Sequence, residues 1–207
     1  MKIIDVEQGT PEWLHARIGV LTASQMDQVI TPKTLKPSAS RDALAYRMLA
    51  EEMIGQPLDN QSSGFMQRGT ALEAEARAWY SFERDVEVVR VGLITTDDGR
   101  AGCSPDGLVG DDGGVEIKCP AAHTHVGYLL DGPGTDYACQ VQGSLWVTGR
   151  AWWDFVSYCP GMPARVIRYE ADPAFQAALS AAAAEFFDFY DGLRARLHAL
   201  WAEEQAA

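Results

Sequence analysis

The chain has 207 residues and a formal net charge of −12. That balance excludes a protein that coats nucleic acid through a broad basic surface, because neutralising phosphates takes Lys and Arg. No apolar run reaches the length needed to cross a bilayer. Met1-Lys2-Ile3-Ile4-Asp5 lacks the apolar stretch of a signal peptide, so a cytoplasmic protein is expected.

The length suits one domain over residues 1–207 with a substantial core. Residues 9–21 open with a turn and continue as an amphipathic segment, with Trp13, Leu14, Ile18 and Leu21 at its apolar positions. Thr22-Ala23-Ser24-Gln25 has the capping-box pattern and predicts a helix to about Ile30. Ser24 then falls in a first turn, where free N–H groups and the helix dipole favour an anion, with Arg17 within reach upstream. Residues 31–38 carry two prolines and two lysines and read as a loop. Its Lys33 and Lys36 are either contacts for a polyanion or simply solvated.

Ser40 caps a helix to about Ile54, stopped by Gly55 and Pro57. A linker at 58–64 leads to a helix from Thr70 to about Arg84, whose Leu72, Ala76, Trp79 and Tyr80 recur at helical spacing. Glu73 lies beside that stripe, four residues before Arg77. The pair reads as an ordinary surface ion pair or as a carboxylate oriented by its arginine. Val86 to Thr96 is rich in β-branched residues and predicts a strand. With the turn at Asp97-Asp98-Gly99, an antiparallel meander of three strands through Lys118 is expected.

The stretch from Cys103 to Pro120 carries the chemistry. Ser104-Pro105-Asp106-Gly107 has turn character, and Gly110-Asp111-Asp112-Gly113-Gly114 is a second turn. Val115-Glu116-Ile117-Lys118-Cys119 then alternates with the period of a strand. Side chains two apart share a face, so Glu116 and Lys118 project together and Val115 and Ile117 point the other way. If the glycine-rich turn closes a hairpin, Asp106 lands almost opposite Glu116. Two carboxylates and a lysine at one sheet end suit metal-assisted phosphodiester hydrolysis. Mg²⁺ prefers oxygen ligands, and burial and a nearby cation lower a lysine's pKa. A solvated hairpin with a same-face Glu–Lys pair is the plainer reading of the same residues.

Residues 121–135 read as irregular, with His123 and His125 as surface residues, since no third metal ligand accompanies them. Asp136 is placed to cap a helix to Val147, on which Tyr137 and Gln140 share a face. Trp152–Tyr158 is too apolar for an exposed strand, and Arg165–Glu170 is its hairpin partner. From Asp172 the chain is one long Ala-rich helix, broken near Gly192. The cysteines Cys103, Cys119, Cys139 and Cys159 form no C-x-x-C pair and read as reduced and structural.

The block S-P-D-G-L at 104–108, followed by E-I-K-C-P at 116–120, resembles the active-site core of the PD-(D/E)XK nuclease superfamily. More narrowly, it resembles the phage lambda exonuclease, or YqaJ-like viral recombinase, family. Three further blocks are similar to that family: Arg17-x₆-Ser24, the G-x-x-x-E-x-x-A-R run from Gly69 through Glu73 to Arg77, and Tyr137-x-x-Gln140-Val141-Gln142. The resemblance implies an α/β, restriction-endonuclease-like core, a central mixed sheet flanked by helices. It implies a Mg²⁺-dependent 5′→3′ exonuclease that digests one strand of duplex DNA to mononucleotides and leaves 3′ tails for phage recombination.

In that resemblance Asp106 bridges one or two Mg²⁺, for which Mn²⁺ can substitute. Glu116 and the Ile117 carbonyl complete the first metal site, and Glu73 helps hold the second. Lys118 activates water, and Gln140 holds the water or the scissile phosphate. Tyr137 contacts the DNA backbone, Arg17 and Ser24 bind the 5′-phosphate, and Met66 falls where an apolar wedge enters the duplex end. Implied partners are duplex DNA ends, two further copies in a trimeric ring, and a phage single-strand annealing protein. A structure-selective or single-strand nuclease on the same core, and a non-catalytic DNA-end-binding subunit, are the alternatives.

Overall fold

The computed structural model describes residues 1–58 and 64–206, with side chains for 1–58 and 72–203. The linker expected at 58–64 therefore lies outside the described residues except at its ends. The first half of the chain runs β1 (Lys2–Ile4), α1 (Pro11–Ala16), β2 (Leu21–Thr22), a 3₁₀ helix (Ala23–Gln28), α2 (Arg41–Ile54) and α3 (Gly64–Arg84). Strands β3 (Val88–Val89), β4 (Leu93–Thr95), β5 (Ala101–Cys103), β6 (Gly107–Val109) and β7 (Gly113–Lys118) follow. The remainder is α4 (Ala122–Asp131), α5 (Ala138–Thr148), β8 (Trp152–Ser157), β9 (Arg165–Glu170) and α6 (Pro173–Ala206). The expected α/β architecture is present, and its strands form two mixed sheets, ordered β1-β4-β5-β2 and β3-β6-β7-β8-β9.

The strand expected over Val86–Thr96 is cut in two, and its halves serve different sheets. Val88 and Val89 pair with β6, whereas Leu93–Thr95 pair with β1 and β5. The cut falls at Gly92, where a Cβ would stand 1.9 Å from the Val6 carbonyl oxygen. Only glycine lets the two backbones cross there. The three-stranded meander is therefore replaced by two hairpins in separate sheets, β4–β5 and β6–β7.

The hairpin read from the glycine-rich turn is present. Gly107 pairs with Val115 and Val109 with Gly113, so Asp106, one residue before β6, is level with Glu116. Strand β8 joins β7 in parallel, with Glu116 opposite Phe155 and Lys118 opposite Ser157. A parallel neighbour requires a crossover, and α4 and α5 supply it. β9 completes the antiparallel β8–β9 hairpin expected from the sequence. Helix α3 lays Ala76 and Tyr80 over Val109, Val115, Ile117 and Val156. On the opposite face Trp153 joins the larger core of α5 and α6, with Val141, Leu145, Leu179 and Phe186. A Cβ on Gly114 would stand 2.4 Å from the ring of Trp153, which is fully buried. Gly114→Ala is therefore expected to cost about 3 kcal/mol of stability through overpacking, read as a lower denaturation midpoint with unchanged slope.

Four local expectations are corrected. The segment after the Thr22 cap is a six-residue 3₁₀ helix and not an α-helix to Ile30. Residues read as irregular form α4, and His125 is fully buried, not at the surface. Its Nε2 lies 2.9 Å from the Pro163 carbonyl and its Nδ1 2.7 Å from Ser157 Oγ. A carbonyl only accepts, so Nε2 carries the proton and Nδ1 accepts from the serine. Helix α5 starts at Ala138 with Tyr137 at the cap position, so Asp136 is not its cap. Helix α6 runs unbroken through Gly192. The Asp172 carboxylate accepts from the Ala174 and Phe175 N–H groups, and Leu179, Phe186 and Tyr190 anchor the helix. That anchoring outweighs the ~1 kcal/mol penalty of one glycine.

The four cysteines are free, three of them buried. Among the described residues no helix is long and apolar enough to cross a membrane.

Candidate active site

The β6–β7 hairpin, α3 and α5 meet at the C-terminal end of β7. Glu116 is 3% exposed and its Oε1 accepts two bonds, from Lys118 Nζ at 2.6 Å and from Gln140 Nε2 at 2.6 Å. The strand period aims Glu116 and Lys118 to one side of the sheet, and α5 covers that side, bringing Gln140 from its first turn. Asp106 Oδ2 accepts the Ile117 N–H at 2.5 Å, which ties the carboxylate to the strand beside it. From the other side α3 delivers Arg77, whose Nε donates to the Asp106 carbonyl at 2.8 Å. The Arg77 guanidinium also pairs with Glu73 one helical turn earlier. Arg77 thus joins Glu73 to the Asp106 turn, so the two sequence readings of that pair hold together.

Burial pushes the Asp106 carboxyl well above the usual carboxylate range, and the charges of Glu116 and Glu73 add to the effect. Burial also disfavours the Lys118 ammonium, but the Glu116 and Asp106 carboxylates outweigh it and hold its pKa above the usual lysine value. A cation bound beside Lys118, as the sequence reading places it, would oppose the pull of these two carboxylates. Among the described residues no three His, Cys, Asp or Glu side chains are preassembled as a ligand cage. Lys118 and Arg77 occupy Glu116 and Glu73 instead. The donor set is nonetheless all carboxylate oxygen, with Glu116 buried and Asp106 and Glu73 half-buried, which fits a hard divalent cation.

A second group gathers around Arg17, just past α1. Its guanidinium lies 4.2 Å over the Trp13 ring and reaches Thr22 Oγ1 at 3.5 Å, and Thr22 Oγ1 lies 3.1 Å from Ser24 Oγ. Burial lowers the Arg17 pKa, partly offset by Glu51, and among the described residues Arg17 makes no ion pair. The Thr22 N–H is already taken by Gln25 Oε1 at 3.0 Å. The side chains of Arg17 and Ser24 lie together at this cap, both within reach of Thr22 Oγ1. Trp13 Nε1 donates to Ser104 Oγ at 2.8 Å. That bond places the Arg17 group against the turn that carries Asp106.

A family model of the YqaJ-like viral recombinase domain matches residues 12–151, a span that holds both groups. The chain belongs to the YqaJ-like viral recombinase family. Among solved structures, an alkaline exonuclease (LHK-Exo) from Laribacter hongkongensis is 37% identical, with a TM-score of 0.77 over 92% of this chain and 100% of that one. LHK-Exo in complex with dAMP is 36% identical, with a TM-score of 0.85 over 94% and 99%. A phage-related exonuclease from Haemophilus somnus 129PT shares the fold at 12% identity, with a TM-score of 0.71 over 86% and 96%. No curated protein sequence matches the chain.

In this YqaJ-like chain the residues singled out by sequence thus fall into two places. Asp106, Glu116, Lys118, Gln140 and Glu73 meet at the end of β7, with Tyr137 under the Lys118 ammonium at 5.2 Å. Arg17 and Ser24 form the second place. Ile117 directs its side chain into the α3 core and its N–H to Asp106. Met66 lies outside the residues whose side chains are described. Sequence reading missed Tyr128, whose hydroxyl faces that of Tyr137. The signal was the helical spacing of His125, Tyr128 and Leu129, obscured by Gly127 and by Gly132-Pro133. Trp13 was read only as an apolar position, and its N–H bond to Ser104 has no sequence signature.

Proposed function

We propose that the chain is a Mg²⁺-dependent exonuclease that degrades the 5′-ended strand of duplex DNA and leaves a 3′ tail. The observation that carries this reading is the convergence of Asp106, Glu116, Lys118 and Gln140 on one half-buried spot, with Glu73 tied to it through Arg77. Relatives that are alkaline exonucleases support the hydrolase class, and the dAMP bound by one of them is the kind of product a strand-degrading exonuclease releases. In this reading residues 1–207 act as one nuclease domain in the cytoplasm of a bacterial host. The chain works as a trimeric ring beside a single-strand annealing protein of phage origin.

Asp106, Glu116, the Ile117 carbonyl and Glu73 would hold Mg²⁺, or Mn²⁺ in its place. When bound, the metal supplies Lewis-acid stabilisation of the charge that develops on the phosphate oxygens. Gln140 bonds Glu116 through its N–H and keeps that carboxylate turned toward the centre. Its amide oxygen, without a partner among the described residues, would orient the attacking water. Lys118, bonded to Glu116, would activate the attacking water. Arg77 fixes the separation of Glu73 and Asp106. Tyr137 contacts the incoming backbone.

The direction of digestion rests on Arg17 and Ser24. A partly buried guanidinium that makes no ion pair among the described residues suits a terminal phosphate, whose second charge an internal diester lacks. Each cut regenerates a 5′-phosphate, so the same group can engage after every step. Arg17→Ala is expected to slow digestion of 5′-phosphorylated duplex about ten- to a hundredfold, from the loss of charge-assisted bonds of roughly 1.5–3 kcal/mol. A 5′-hydroxyl duplex should be affected little. Initial rates on both ends decide the matter: equal slowing would make Arg17 a general backbone contact. Duplexes labelled at the 5′ or the 3′ end test the polarity itself.

A further inference from the structure

Two phenol hydroxyls lie side by side at the lysine end of the site. Tyr128 on α4 donates to the Tyr137 hydroxyl at 3.5 Å, the outer limit for such a bond. Among the described residues neither hydroxyl has another hydrogen-bond partner. The rings are fixed in place. Tyr137 stacks on Phe155 at 4.9 Å, and Tyr128 meets Tyr137 and Phe155 edge-on at 6.2 and 6.1 Å. The Lys118 ammonium lies over the Tyr137 ring. Helix α4 is itself pinned to β8 and to the β8–β9 connection by His125.

The ammonium is paired with Glu116, but among the described residues the Tyr137 hydroxyl proton has no acceptor. Each phenol carries one proton and the ammonium three, and the one bond between the hydroxyls is long. Burial, helped by the Tyr137 hydroxyl, pushes the Tyr128 pKa up. An anionic oxygen with several lone pairs would satisfy both hydroxyls at once. Both rings are only partly buried, so such a ligand has access.

We propose that Tyr128 is a further DNA-binding residue, its hydroxyl paired with that of Tyr137 to hold a phosphodiester oxygen of the strand entering the site beside Lys118. The proposal rests on the nuclease reading above and adds to it a residue and a second helix, α4. It also explains why α4 is fixed so firmly through a buried histidine.

Tyr128→Phe keeps the ring and its contacts and removes only the hydroxyl. The probe is a fluorescent 5′-phosphorylated duplex with phosphorothioate linkages, titrated with Ca²⁺ in place of Mg²⁺ to suppress cleavage. Tyr128→Phe is expected to bind it about tenfold more weakly than wild type, with unchanged melting temperature and unchanged calorimetric affinity for Mn²⁺. Tyr137→Phe should weaken binding similarly, and the double variant by less than the product of the two, because the hydroxyls act as a pair. Wild-type affinity in Tyr128→Phe overturns the proposal alone. Weaker binding accompanied by a lower melting temperature or lost Mn²⁺ affinity overturns it in favour of a packing role. A wild type that binds no DNA overturns it together with the nuclease reading.

Discussion

Asp106→Asn should lower DNA hydrolysis on the order of a thousandfold or more, the worth of several kcal/mol of charge stabilisation, while making the metal-free protein more stable. The two effects share one cause. Asp106 is pushed well above the usual carboxylate range by burial and by the neighbouring charges of Glu116 and Glu73. The folded state therefore holds its proton more tightly than the unfolded chain, whose carboxyl titrates near 3.9. As pH rises from the unfolded value through the raised folded value, the unfolded state releases the proton first and stability falls. Asparagine carries no such charge and keeps an oxygen that accepts the Ile117 N–H. Without metal, the variant should melt higher than wild type at neutral pH and lose part of the stability loss seen as pH rises. Mn²⁺ should raise the wild-type melting temperature and leave the variant nearly unmoved. Wild-type thermal response to Mn²⁺ in Asp106→Asn would place the metal elsewhere.

Lys118→Ala should retain DNA and divalent-cation binding but lose turnover by about a hundredfold, the loss of ~2.7 kcal/mol of transition-state stabilisation. Its ammonium is 28% exposed at the side chain and bonded to Glu116 at 2.6 Å, so it stands where charge develops and competes for the same carboxylate. Removing it leaves Glu116 with Gln140 alone. Affinity for Mn²⁺ is expected to stay equal or tighten, because a competing cation is gone. Single-turnover rates separate this from a binding defect, and calorimetry reads the metal. If the rate stays within about threefold of wild type, roughly 0.6 kcal/mol, Lys118 only balances charge in the fold.

The sequence by itself determined the β6–β7 hairpin and the placing of its candidate site residues. Asp106, Glu116 and Lys118 lie within thirteen residues, and a glycine-rich turn and a period-2 strand decide their register without distant help. Tyr137, at the cap position, and Gln140, in the first turn of α5, are likewise close along the chain. Tertiary structure decided the rest. Gln140 reaches Glu116 only because α5 crosses over to build a parallel β7–β8 pair. Glu73 reaches the site only because Arg77 bonds a carbonyl on another element. Val86–Thr96 has strand propensity throughout, yet one backbone crossing, Val6 over Gly92, divides it between two sheets. Residues 121–135 have loop composition, yet Ala122–Asp131 form a helix, because β8 offers Phe155 and a serine to Tyr128 and His125. Local propensities are worth tenths of a kcal/mol per residue, and burying one apolar side chain is worth about 1.5–3 kcal/mol. Where partners lie far along the chain, packing therefore overrides what the local residues prefer.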